Sequence, residues 1–105
     1  MKQMNIALGS DGVSTLSAPT STDINGHLLA ANIAESVTIP SGAKFALFNA
    51  TADFYARYTG TAAVISDTTD GTGSELNPTL RTLTDGDTIS VISGETCYIT
   101  VCFYD

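Results

Sequence analysis

TIPSGAKFALFNATADFYARYTG, residues 38–60, reads as a corner, a strand, a turn and a second strand. Pro40-Ser41-Gly42 supplies the corner, because proline presets φ and glycine accepts dihedrals closed to other residues. Residues 44–49 are apolar on both sides, the pattern of a strand covered on both faces or lying at an interface. Residues 50–53 make a tight connection. The chain then alternates, with Phe54, Ala56 and Tyr58 on one face, read as inward, and Tyr55, Arg57 and Thr59 on the other.

A similar plan closes the chain in TLTDGDTISVISGETCYITVCFYD, residues 82–105. Asp85-Gly86 is the corner, residues 88–92 form a strand with Ile89 and Val91 on one face, and residues 93–95 turn the chain. Residues 96–104 are the clearest strand of all. Cys97, Ile99, Val101 and Phe103 point one way, while Tyr98, Thr100, Cys102 and Tyr104 point the other. The second face carries little polarity, so it too is expected to be covered. Residues 39–58 and 83–101 match only approximately, with a one-residue shift. We read them as two hairpins that share one core in a Greek-key sandwich, rather than as a duplicated gene.

Working outward from these segments, residues 4–8 read as a short strand or a docking arm, and residues 14–25 as an extended Ser/Thr/Pro-rich loop with a turn at residues 23–26. Residues 27–35 fit one or two helical turns or a strand, being too short for periodicity to decide. We read them as irregular or extended, passing into a strand at residues 36–39. Residues 62–65 and 80–83 read as short strands, and residues 67–78 as a loop broken by Gly71 and Gly73. The expected architecture is an all-β, single-domain antiparallel β-sandwich, jelly-roll or Greek-key-like, with an extended N-terminal arm. Residues 1–34 form the arm and loop region, packed on or extending from the core, and residues 35–105 form the sandwich core.

The chain has 105 residues, which suits one domain. Only 14% are charged, so the polar surface rests on Thr, Ser, Asn and Gly, and β-branched threonine favours strands. The net charge of −7 and the scattered positions of Lys2, Lys44, Arg57 and Arg81 argue against nucleic acid and anionic membranes as partners. No apolar run approaches the ~20 residues of a membrane span. The first residues lack the pattern of a signal peptide, so synthesis and folding in a cytoplasm are expected. Cys97 and Cys102 lie on opposite faces of one strand and are read as free structural thiols.

No catalytic constellation emerges, and no enzyme activity or cofactor is expected. Asp67, Asp70 and Glu75 in SDTTDGTGSE are a weak candidate cation set, but their spacing departs from a calcium loop and a solvated loop is the better reading. His27, the only histidine, has Asp23 nearby in sequence, with the Asn25-Gly26 turn signal between them. It is read as a packing or surface residue. Tyr55, Arg57, Tyr58, Tyr98 and Tyr104 are the candidate interface residues, since tyrosine and arginine anchor subunit contacts and sugars alike.

IPSGAKFALFNATADFYARYTG, TDGTGSELNPTLRTL and the terminal ISVISGETCYITVCFYD resemble a loose group of small virion-associated proteins of tailed bacteriophages. The resemblance rests on the Pro-x-Gly-Ala corner at residues 40–43, the DFYARY strand at 53–58, the DGTxSELNP-like loop at 70–78 and the terminal strand at 96–104. It implies a capsid decoration or cement protein: a homotrimer that binds the major capsid protein or another virion protein and resides in the virion. The alternatives are a small connector or fibre-base protein of the tail, or a carbohydrate- or receptor-binding module.

Overall fold

The computed structural model describes residues 1–4, the backbone of residues 7–8 and 14–15, and residues 20–64 and 66–105. Ten strands follow in order: β1 (Ala7–Leu8), β2 (Ser14–Thr15), β3 (Asp23–Leu29), β4 (Glu35–Val37), β5 (Phe45–Ala50), β6 (Tyr55–Arg57), β7 (Glu75–Leu76), β8 (Leu80–Thr82), β9 (Ile89–Ile92) and β10 (Cys97–Tyr104). No helix forms among the described residues. β1 and β2 pair with each other; the remainder build two four-stranded sheets, β3-β10-β5-β8 and β4-β9-β6-β7, antiparallel throughout.

Phe54 and Ala56, read as inward, and the one-face sets Ile89 with Val91 and Ile99 with Val101 and Phe103 lie inside. Phe103, Val101, Ile99, Leu29, Ala46 and Phe48 of the first sheet meet Val37, Ala56, Ile89, Val91 and Phe54 of the second in one buried cluster. Phe48 anchors it, with its ring centroid 6.1 Å from Phe54 and 6.5 Å from Tyr58. Tilted and edge-on contacts of this kind suit the quadrupoles of aromatic rings. The result is a sandwich-like all-β body whose interior is shared by the two sheets.

The two similar segments are not hairpins. β5 lies in one sheet and β6 in the other, and β9 and β10 are divided the same way. Each segment is an arch that crosses the core. The two arches then lie against each other, β5 pairing with β10 and β6 with β9. A hairpin would have left all four strands in one layer with a single inward face. Crossing lets each segment supply apolar residues to both walls of the core. The corners correspond as well: Ala43 N–H donates to Pro40 C=O, and Asp87 N–H to Thr84 C=O. Gly42 and Gly86 have φ of 85° and 91°, the left-handed third position of a type II turn.

Three local expectations change. The turn expected at residues 23–26 is strand: β3 pairs with β10 without interruption from Asp23↔Phe103 to Leu29↔Cys97. The Asn25-Gly26 turn signal is overridden because β10 offers a full-length partner, and strand preference follows such context more than local chemistry. The loop expected at residues 67–78 contains β7, while residues 61–64 form no strand. Ile65 lies outside the described residues, as do residues 5–6, 9–13 and 16–19 of the expected arm. The first residues are tied down: Asp105 N–H donates to Lys2 C=O, Met4 N–H donates to the Asp105 oxygen, and the Met1 ammonium sits 3.5 Å from Asp23.

Phe103 is fully buried in β10 between the sheets. Phe103→Ala is expected to lower unfolding free energy by about 3–5 kcal/mol, measured by urea denaturation, through lost burial and a residual cavity.

Candidate functional site

The two sheets treat their outer faces differently. In the β4-β9-β6-β7 sheet, Ser90 and Ile92 point away from the core yet are buried. The segment after β6 covers them. Ala62 is itself buried and its N–H donates to Ser90 Oγ at 2.9 Å. Ala63 N–H donates to Ser74 Oγ at 3.0 Å, fastening the segment to the chain entering β7. Arg57 lies along Gly60 so closely that a Cβ there would stand 3.0 Å from the guanidinium carbon. A side chain at residue 60 would require the arginine to shift by a few tenths of an ångström.

Among the described residues, the outer face of the β3-β10-β5-β8 sheet is closed at Tyr104, half-buried at Phe45, Leu47 and Cys102, and open elsewhere. Ile24, Cys102, Leu47 and Leu80 form a row across all four strands, and Leu28 stands beside Tyr98. Ile24 is 56% exposed, Leu28 55%, Tyr98 62% and Leu80 42%. No Asp, Glu, Lys, Arg or His occupies an outward position on these four strands. In a chain of net charge −7, that makes a flat, uncharged apolar surface. Contiguous exposed apolar area of this kind marks interaction sites.

The five candidate interface residues are not brought together. Tyr98 stands on the apolar face and is open. Tyr104 lies on the same side of β10 but is buried at 2% exposure. Tyr55 and Arg57 are half-buried on the outside of the other sheet. Tyr58 packs against the core and its hydroxyl donates to Glu75 Oε1 at 3.1 Å. Arg81 Nε donates to the same oxygen at 2.8 Å. Burial pushes the Tyr58 hydroxyl well above the usual tyrosine range, and the adjacent Glu75 charge and hydrogen bond push it the same way. The Glu75 hydrogen bond likewise raises Arg81.

Two acidic residues of the long loop, Asp70 and Glu75, have structural partners. Thr72 donates both its hydroxyl, at 2.6 Å, and its N–H, at 3.1 Å, to Asp70 Oδ1. These bonds hold the Asp70 carboxyl below the usual carboxylate range. Glu75 is engaged by Tyr58 and Arg81, and Asp67 is exposed. Among the described residues no three His, Cys, Asp or Glu side chains gather where one metal ion would be held. His27 is half-buried in β3, and the Asp23 carboxylate beside it in sequence faces the Met1 ammonium. A cleft of about 560 Å³ lies between β4 and residues 60–61 and has Glu35 and Asp87 as its ionisable lining.

Asn77 is the residue that sequence reasoning missed. It adopts left-handed backbone geometry, φ 48°. Its N–H donates to Phe54 C=O at 2.9 Å, its Oδ1 accepts from Phe54 N–H at 3.0 Å, and its Nδ2 donates to Asp53 at 2.9 Å. The side-chain amide thus imitates a strand partner for the arch between β5 and β6. Buried Ser93 supports the same arch, donating to Asp53 C=O at 2.7 Å. The SELNP string carried this information only in its Asn-Pro pair, a turn signal that does not name its partner.

Asn77→Ala is expected to cost about 2 kcal/mol in chemical denaturation, because it strands the Phe54 N–H and places alanine in a left-handed conformation. A second expectation concerns pH. Tyr58, Tyr104 and Cys102 all have folded-state values raised by burial. An unfolded cysteine loses its proton near pH ~8.5 and an unfolded tyrosine near pH ~10, while the folded chain keeps both, so the stability these groups contribute is present at lower pH and falls as pH rises through that range. Tyr58→Phe should make the fall above pH ~10 shallower in thermal melts taken across that range. Compared with protein-family models, curated proteins and solved structures, the chain matches none.

Proposed function

We propose that this chain is a structural virion protein of the decoration or cement kind, a jelly-roll sandwich with an N-terminal arm that self-associates and binds a protein shell. The observation that carries the reading is the uncharged outer face of the β3-β10-β5-β8 sheet, where Ile24, Leu28, Tyr98 and Leu80 stand exposed. A protein whose work is adhesion needs a rigid flat surface, and a sheet braced by a packed core provides one. The absence of charge suits burial, since no ion has to be desolvated on docking.

The winding supports the jelly-roll reading. Orders β3-β10-β5-β8 and β4-β9-β6-β7 alternate early and late strands within each sheet, as two interlocked Greek keys do. That architecture recurs in viral capsid proteins and in lectins, an analogy of fold and not of site. The root of the arm is fixed where residues 2–4 meet Asp105, so a partner contact made by the following residues would be transmitted to β10. Many copies on one shell bind by avidity, and each contact can be weak.

A second reading, a carbohydrate-binding module, draws on Tyr98. Its ring is the most exposed large apolar side chain, and the next outward row on the same face holds Thr100 beside Asn49. Stacking with adjacent hydrogen-bond groups is the chemistry of sugar recognition.

The test is a particle-binding assay, with electron microscopy of shells with and without the protein. Leu80→Glu places a charge on the docking face and should reduce shell occupancy at least tenfold while thermal melts stay unchanged. Unaltered occupancy would remove the face from the account. A glycan array showing binding that disappears with Tyr98→Ala would move the assignment to the second reading.

A further inference from the structure

Among the described residues, β3 is an edge strand of its sheet. It pairs with β10 on one side only, over seven residues, with no bulge. Alternate residues of an edge strand direct N–H and C=O groups away from the sheet, and natural proteins blunt such edges with lysine, proline or a bulge. DINGHLL contains no Lys, Arg or Pro. Its single charge, Asp23, sits at the end of the strand beside the Met1 ammonium. Beside the edge lies an open groove of about 320 Å³ lined by Ile24, Asn25, Gly26, His27 and Thr38. The Asn25 amide donates to Thr38 C=O at 3.0 Å, holding the side chain inward and leaving the strand edge clear.

We propose that β3 pairs with β3 of a second copy, antiparallel about a two-fold axis through Gly26, joining two four-stranded sheets into one. This deepens the adhesive reading, on which it rests, by naming one partner and the strand that meets it. The sequence of β3 is self-complementary in that register. Ile24 of one copy falls opposite Leu28 of the other, and both are already exposed on the apolar face. Cross-strand neighbours of this kind touch. Gly26 falls opposite Gly26. Each Asp23 falls opposite a Leu29, so the two carboxylates lie at opposite ends of the junction, which matters in a chain of net charge −7. A parallel pairing would bring them side by side. The joined sheets present one continuous uncharged face, twice the area offered by a single copy, and a two-fold contact closes on itself without forming a filament.

The test is sedimentation of the whole chain, with two paired double variants. The wild type should show a concentration-dependent mass of two chains. Ile24→Lys with Leu28→Lys should be monomeric, as should Ile24→Glu with Leu28→Glu. Mixed, the two should recover the dimer, because residue 24 of one copy faces residue 28 of the other. A second measurement does not depend on those variants folding. A Cβ at Gly26 meets nothing within 4 Å, so Gly26→Cys is tolerated there. In a Cys102→Ser background it should oxidise to a covalent dimer that retains the wild-type melting profile. A wild-type mass of one or three chains, failure of the mixture to associate, or no crosslink through residue 26 would each overturn the pairing. The two proposals fail separately: Leu80→Glu should weaken shell binding and leave the dimer mass unchanged. A monomer that still decorates shells would overturn the β3 junction alone.

Discussion

The structure depends on the pairing of β10 with two neighbours along almost its whole length. β3 takes one side from Asp23 to Leu29 and β5 takes the other from Phe45 to Ala50. Ile99, Val101 and Phe103 are consequently held at the centre of the core, each fully buried. Buried peptide groups need hydrogen-bond partners, and a central strand is the arrangement that satisfies every one of them. Both chain ends converge on this strand, since Asp105 bonds to Lys2 and Met4 and Ser21 donates to Phe103 C=O at 3.0 Å. The chain is thus closed on its most buried element.

The arches follow from that centre. With β5 and β10 paired in one sheet, their continuations β6 and β9 pair in the other, and the connections between sheets must be held in irregular geometry. Asn77 and Ser93 supply the bonds that regular strand pairing would have supplied, both acting on Asp53 or Phe54. The loop that carries Asn77 goes on to Glu75, Tyr58 and Arg81 in the same region. Of the polar residues singled out in the sequence, Glu75 and Tyr58 fasten the long connection to the sheet, together with Arg81.

That use of the long connection explains the difference between the two faces. Residues 60–63 lie over one sheet, where Ala62 and Ser90 are joined by a hydrogen bond, and spare its apolar positions from water. The other sheet keeps Ile24, Leu28, Leu80 and Tyr98 in the open. Exposing these four side chains forgoes stabilisation that a covering segment would provide, and it is this exposed apolar area that the proposed adhesive role draws on.

Much of the interior was legible in the sequence. Strict alternation through residues 96–104 and 54–58 named Phe103, Val101, Ile99, Phe54 and Ala56 as inward, because a pleated strand has only two sides. The glycine corners at residues 42 and 86 were legible because left-handed φ leaves few alternatives. β3 was not, because Asn25-Gly26 is a strong local turn signal and only the presence of β10 alongside overrides it. The exposed apolar face was hidden for the same reason: Ile24 and Leu28 become neighbours of Cys102 and Tyr98 only once the register is set. Periodicity along one segment determined which side chains turn inward. Which sheet each strand joins, which face is covered and what Asn77 holds were decided by contacts between residues distant in sequence, whose strength depends on geometry that no local pattern encodes.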